Sequence, residues 1–208
     1  MMHTYILDVG YGNLQSLFRF FSTFGSVSFL HSPNDYLPNP AQSSLIVLPG
    51  VGSFSSASRS LECQGFHSFI SSVVGKPDVL IIGICLGMQL LATTGYEDGV
   101  SPGLNVIPGE VVPVSTTDEM VMGWQPLTSI SPLLKQMSPF TVFDPFFYFA
   151  HSYKFAVTDP SSCIALSDYL HYPSIVFRDN VLGLQFHPEL SQRSGHLLIA
   201  SFIEYYFK

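Results

Sequence analysis

Residues 83–87 read Gly-Ile-Cys-Leu-Gly, directly after an unbroken apolar run that begins at Val79. A strand that ends in Gly-x-Cys-x-Gly and passes at once into a helix makes a tight elbow. The glycines remove side chains that would block the turn, and the middle residue is thrown outward. Cys85 is therefore a candidate nucleophile. The helix start puts backbone N–H groups beside the sulfur, which favours the thiolate, and the N–H of Leu86 points to where an oxyanion forms. A cysteine nucleophile needs a base, and the base needs a group to orient it. Residues 185–189, Gln-Phe-His-Pro-Glu, close a second apolar run at 181–186. In an extended segment, positions two apart face the same side, so His187 and Glu189 read as a base and its orienting carboxylate. A third segment, Leu48-Pro49-Gly50-Val51-Gly52-Ser53, again lies just past an apolar run. A glycine-flanked peptide there can present its N–H groups to an anion. Neither it nor Gly10-Tyr11-Gly12 supplies the G-x-G-x-x-G of a dinucleotide site. Taken singly, each segment admits a plainer reading: an inert buried cysteine, a solvated His–Glu turn, a turn ahead of a helix. An elbow and a His-x-acid pair, each placed after a strand, are more specific together than either is alone.

These residues have to be brought together by the elements around them. The first half alternates strand and helix signals: strands at 4–9, 26–30, 45–48 and 79–84, and helices at 13–24, in parts of 53–74, and at 86–93. Short, wholly apolar strands such as 45–48 and 79–84 are what a parallel sheet covered on both faces requires. The second half reads as more β-rich, with a hairpin or meander over 106–114 and strands at 143–149, 154–157, 175–177 and 181–186, closed by an amphipathic helix over 193–206. The pattern predicts an α/β fold: a doubly wound, mostly parallel sheet with an antiparallel extension, as one domain across residues 1–208. Strand ends converge on one edge of a parallel sheet, which is where Cys85 and His187 can meet.

Composition excludes several classes. The chain has 208 residues, 47% hydrophobic and only 11% charged, with a formal net charge of −7. That balance is the opposite of a disordered chain, and it offers no basic stripe for nucleic acid. Three widely spaced cysteines, with no Cys-x-x-Cys pair, argue against a zinc ribbon and fit a reducing, cytoplasmic compartment. Residues 79–96 carry no charge, but Gly83, Gly87, Gly95, Gln89, Thr93 and Thr94 divide the run. It reads as a buried strand turning into a helix, not a membrane span. The N-terminal segment reads as a first strand and not a secretory leader.

The elbow GICLGMQLL, the loop LPGVGSF and the run QFHPELSQ resemble class I, triad-type glutamine amidotransferases. Within that family, LDVGYGNLQSL, PGVG, MGW at 122–124 and FYFAHSY at 147–153 are similar to the glutaminase subunits of imidazole glycerol phosphate synthases. The resemblance spans essentially the whole chain. It implies that Cys85 is the nucleophile, His187 the base and Glu189 its orienter. It implies an oxyanion site from Leu86 and from the Val51 and Gly52 peptides, in a loop that flips when a partner and its ligand bind. It places Gly50, Gln89, Glu97, Tyr148, His151, Ser152 and Tyr153 around glutamine, with Glu97 toward the substrate ammonium. It implies no metal and no organic cofactor. The length leaves no room for a second barrel domain. The resemblance accordingly implies a separate (β/α)8 synthase subunit as partner, forming a heterodimer that receives ammonia and makes imidazole glycerol phosphate and AICAR in histidine biosynthesis. Asn13, Arg19, Met122, Trp124 and Gln125 are the interface candidates.

The chain departs from the common family pattern at Val121, Gln125 and Leu190, all in regions linked to docking. Three other readings compete. One is a paralogous glutaminase feeding a surface-sugar or pyridoxal-phosphate synthase. Another is a catalytically silent binding subunit, which has no need to keep Cys85, His187 and Glu189 together. The last is a general cysteine hydrolase of the same fold, against which Gln89 and the His-Ser-Tyr strip weigh.

Overall fold

The computed structural model describes residues 2–10, 12–115, 120–136, 146–168 and 171–208. In chain order its elements are β1 (Met2–Leu7), α1 (Leu14–Phe21), β2 (Ser26–Leu30), β3 (Ser43–Leu48), α2 (Phe54–Cys63), α3 (Phe66–Val73), β4 (Val79–Ile84), α4 (Leu86–Gln89), β5 (Thr94–Gly95), β6 (Ser101–Pro102), β7 (Gly109–Pro113), β8 (Val121–Thr128), α5 (Pro132–Gln136), β9 (Phe146–His151), β10 (Tyr153–Val157), β11 (Cys163–Ser167), β12 (Pro173–Arg178), β13 (Val181–Leu184) and α6 (Gln192–Tyr206).

The main sheet runs β2-β1-β3-β4-β13-β12-β11-β8-β9. The strands from β2 to β13 are mutually parallel, and those beyond β13 are antiparallel. A smaller sheet, β10-β7-β5-β6, lies apart from it. The α/β class with its antiparallel extension is therefore as the sequence predicts.

Alternation along the strands builds two cores. Leu45, Val47, Leu80, Ile82 and Leu182 pack on one side with Leu17 and Phe21 of α1 and Leu198, Ile199 and Phe202 of α6. Ile46, Leu48, Val79, Ile81 and Val181 pack on the other with Phe54, Ala57 and Leu61 of α2, Phe66 and Ile70 of α3, and the small sheet. β3 and β4 feed both cores and have almost no solvent-facing position, which explains the unbroken apolar runs at 45–48 and 79–84.

Several boundaries differ from the sequence reading. The helix predicted over 86–93 ends at Gln89. Beyond it, the carbonyls of Leu90, Leu91, Ala92 and Thr93 accept from the backbone of residues 103–107, a tertiary pairing that competes with continuing the helix. Over 106–114 the strand is only Gly109–Pro113. Four strands were not predicted: the two-residue β5 and β6, and β8 and β11. In β8, Gly123 and Pro126 break the strand pattern, and β11 is short with shifts in register against β12. Residues 143–145 of the predicted strand 143–149 lie outside the described residues, and β9 begins at Phe146.

The edge of the sheet opposite the site is clamped by one side chain. Asn180, in the β12–β13 hairpin turn, is 1% exposed. Its carbonyl accepts from Gly75 N at 2.6 Å, and its amide donates to Val73 O at 2.9 Å and Val79 O at 3.0 Å. Asn180→Ala strips a partner from two buried carbonyls and from the Gly75 N–H at once, so we expect a loss of about 2–4 kcal/mol in unfolding free energy, measured by urea denaturation.

Candidate active site

β3, β4 and β13 are adjacent and parallel, with Leu48 opposite Gly83 and Ile84 opposite Leu184. Their carboxyl ends are level, and each continues into one of the three segments singled out above. Cys85 sits at φ 54°, ψ −111°, an unusual conformation for a residue with a side chain. The turn is held by Cys85 N donating to Leu184 O at 2.7 Å and Gln89 N donating to Cys85 O at 3.2 Å. It also needs its glycines. A Cβ on Gly87 would collide with the carbonyl oxygen of Leu48.

His187 follows β13 and is fixed through its main chain, its N–H donating to Tyr148 O on β9 at 2.9 Å. Its Nδ1 lies 2.9 Å from Glu189 Oε1. The pairing arises differently from the sequence argument. Pro188–Leu190 is a single 3-10 turn rather than extended chain, and the turn folds the carboxylate back onto the imidazole. Ser191 secures that turn by donating to His187 O and accepting from Tyr148 N at 3.0 Å. Burial works against a charge on His187, but hydrogen bonding and the charges of Cys85 and Glu189 outweigh it and push its pKa up to about 10. The Cys85 sulfur also faces the Ala150 carbonyl at 3.7 Å.

Around the sulfur lies a pocket of about 280 Å³, lined by Gly50, Val51, Gly52, Cys85, Leu86, Gln89, Glu97, Met120, Ala150, His151, Ser152, Tyr153 and His187. It thus gathers almost every predicted substrate and oxyanion residue. Gly50 lies flat on the start of α4, where a Cβ would come 2.5 Å from Gly87 N. Glu97 is half-buried. Burial raises its pKa, while the N–H of Phe54, 2.6 Å from Oε2, acts in the opposite sense. Gln89 is buried and donates to Tyr153 O at 2.8 Å.

Two predicted substrate residues have other occupations. Tyr148 is not among the pocket residues, and its ring packs edge-on against Trp124 with centroids 6.0 Å apart. His151 touches the pocket, but both ring nitrogens are engaged, Nδ1 with Tyr153 O at 2.8 Å and Nε2 with Tyr172 Oη at 2.8 Å. A carbonyl can only accept, so Nδ1 carries the proton and Nε2 accepts from the phenol. Burial lowers the His151 pKa to about 4. Sequence reasoning missed Ala150, Met120 and Gln185 at the site. Gln185 carried a signal, being an amide at the end of an otherwise apolar strand.

Of the interface candidates, Met122 and Trp124 are 61% and 46% exposed. They share the open face of the β8–β9 ribbon with their cross-strand partners Ala150 and Tyr148. Gln125 has the opposite parity, pointing to the core side with Val121 and Leu127, and its buried Oε1 has no hydrogen-bond partner among the described residues. The docking reading for Gln125 is corrected accordingly. Asn13 caps α1 by accepting from Ser16 N, and Arg19 lies on the outer face of that helix. Asn13 also lines a second hollow of about 150 Å³, which shares Gly50, Val51 and His187 with the main pocket and reaches Glu189. Among the described residues no cluster of His, Cys, Asp or Glu is set to hold a metal ion, and no helix is long and apolar enough to cross a membrane.

Comparison with known proteins gives a consistent result. Residues 5–205 match the family model for class-I glutamine amidotransferases. The chain is 37% identical over 210 residues to imidazole glycerol phosphate synthase subunit HisH of Salinibacter ruber, covering 96% of this chain and 93% of that one. It is 38% identical over 204 residues to the subunit of the same name from Archaeoglobus fulgidus, covering 95% and 96%. Among solved structures, PurLQS from Thermotoga maritima superposes with a TM-score of 0.72 at 18% identity, over 98% of both chains. A glutamine amidotransferase from the same organism gives 0.68 at 16%, over 100% of this chain and 98% of that one. At such identities these two speak for the fold alone.

The two histidines predict separate pH effects on stability. His151 has a folded pKa below its ordinary value of 6.5, so its contribution is present above about pH 6.5 and is lost as pH falls through about 4. His187 has the opposite sign: its contribution is present below about pH 6.5 and is lost as pH rises through about 10. Urea unfolding across pH should show stability falling from pH 6.5 to 4, and His151→Gln should flatten that limb while leaving the alkaline one.

Proposed function

The chain belongs to the class-I glutamine amidotransferase family, and from that premise we propose that it is the glutaminase subunit of an imidazole glycerol phosphate synthase, one domain over residues 1–208 acting in the cytoplasm. The observation that carries this is the meeting of Cys85, His187 and Glu189 beside a pocket at the small end of the range for ligand sites, about 300 Å³, which suits one amino acid.

The Cys85 thiolate attacks the side-chain carbonyl carbon of glutamine. Negative charge then forms on the carbonyl oxygen and is met by the Leu86 N–H and an N–H of the Gly50–Gly52 segment. The C–N bond breaks as imidazolium His187 gives its proton to the departing nitrogen, releasing ammonia and leaving a glutamyl thioester. His187, now neutral, takes a proton from water. The water adds to the thioester, the C–S bond breaks, and glutamate leaves with the thiolate restored. The raised pKa of His187 suits the first proton transfer, because the imidazole starts charged at neutral pH. Glu97 faces the α-ammonium of the substrate.

Ammonia is useful only if it is delivered before it protonates in bulk water. We assign the acceptor to a separate barrel synthase that docks on the open face of β8–β9. Trp124 and Met122 there are too exposed to serve the core, and Leu190 and Val51, 41% and 45% exposed, present further apolar surface beside His187 and Glu189. The test is glutamate release by the purified chain, alone and with the barrel subunit and its ligand. We expect stimulation by that subunit. Cys85→Ala should abolish glutamine hydrolysis yet leave partner binding and synthesis from added ammonium intact. Trp124→Ala should weaken association by about 2 kcal/mol, roughly 30-fold in Kd by titration calorimetry, with no change in melting temperature.

A further inference from the structure

We propose that Gln185 is a positioning residue for the Cys85 sulfur: its side-chain N–H stabilises the thiolate, in an orientation fixed by a relay that begins at the main-chain carbonyl of Tyr153. This rests on the reading of Cys85 as the nucleophile. Gln185 is fully buried. Its Nε2 lies 3.9 Å from Cys85 Sγ, and its Oε1 is 3.2 Å from Gln89 Nε2. Gln89 Nε2 is in turn 2.8 Å from Tyr153 O.

Direction along this chain follows from the one group whose role cannot change. A backbone carbonyl only accepts, so Gln89 must turn its NH₂ toward Tyr153. The second hydrogen of that NH₂ is then directed at Gln185, which must answer with its oxygen. The Gln185 NH₂ is left facing the sulfur. Rotating the Gln185 amide by half a turn would set two NH₂ groups against each other and an oxygen against the thiolate. His151 reinforces the starting point, because its Nδ1–H donates to the same Tyr153 carbonyl.

The sulfur therefore has two kinds of neighbour. The Ala150 carbonyl suits the S–H form, whereas the Gln185 N–H and the His187 imidazolium suit the thiolate. The titratable groups around it are His187 after β13, with Glu189 behind it, His151 at the end of β9, and Tyr172 ahead of β12. An amide cannot give up its proton. Gln185 can thus stabilise the thiolate in both of its appearances, as attacking group and as leaving group from the thioester, without competing with His187 for the proton that moves.

The test reads the pH dependence of Cys85 alkylation by iodoacetamide, which needs no glutamine. Cys63 is exposed and Cys163 half-buried, so both are first replaced by Ser. Gln185→Met keeps the length and removes the donor. Gln185→Glu keeps the shape and sets an acceptor against the sulfur. We expect the alkylation midpoint to rise by about one pH unit in Gln185→Met, tenfold less thiolate at a given pH, and further in Gln185→Glu. Glutamine turnover should fall in kcat with KM little changed. An unchanged midpoint in whichever variant keeps the parent's melting temperature overturns the proposal, since a merely space-filling Gln185 would not move it. A shifted midpoint in a chain that fails to hydrolyse glutamine would retain the relay and remove the glutaminase reading instead.

Discussion

The site depends on how closely the start of α4 lies against the end of β3. No side chain fits between them. A Cβ on Gly87 would enter the Leu48 carbonyl, and one on Gly50 would press on Leu86 and Gly87. That contact forces the chain to leave β4 and turn within one residue, and Cys85 is the residue that takes the positive φ. Such a conformation costs about 1–3 kcal/mol and survives only where the surroundings over-determine it. Here the sheet does so, since the Cys85 N–H continues the β4–β13 ladder to Leu184 while its carbonyl already accepts from Gln89. The same approach brings the Gly50–Gly52 peptides and the Leu86 N–H to one wall of the pocket.

β9 ties the remaining parts together. Its alternate residues Phe147, Phe149 and His151 face inward, and Phe146, Tyr148 and Ala150 face the other way. One strand therefore supplies the ring beside Trp124, the carbonyl that accepts from His187 N, and the carbonyl beside the Cys85 sulfur. The open apolar face and the reacting groups are not separate modules joined by a linker. Both draw on the same six-residue strand, and Ala150 takes part in each.

How much of this was legible in the sequence follows from where each constraint is written. The parallel half was legible because β3 and β4 are buried on both faces, which leaves residues 45–48 and 79–84 without a polar side chain, and because elbow glycines sit at fixed offsets from Cys85. The antiparallel half was less so. β8 carries Gly123 and Pro126 and exposes Met122 and Trp124, so neither its propensity nor its alternation reads as a strand until β9 is beside it. Helix α4 was overextended, since Leu90 and Leu91 look helical and only the distant residues 103–107 claim their carbonyls. The His187–Glu189 pairing was anticipated on the wrong local geometry. Both an extended segment and a 3-10 turn bring the two side chains together, and Pro188 at the head of the turn selects the second.

His151 and His187 show why residue type and neighbourhood alone misassign roles. Both lie at the carboxyl edge of the sheet, both are largely buried, and both line the same pocket. What separates them is the partner at each ring nitrogen. His151 stands between a carbonyl that can only accept and a phenol that donates, so it has one proton to give and one to take, and the neutral ring satisfies both. His187 has the Glu189 carboxylate and the Cys85 sulfur as its neighbours, and both favour the charged ring. A neutral ring is thus the stable form in the first place and a charged ring in the second, although burial alone favours neutrality in both. For each ring one partner lies two residues along the chain, Tyr153 for His151 and Glu189 for His187, and the other is brought in from elsewhere in the fold, and these partners set the two rings apart.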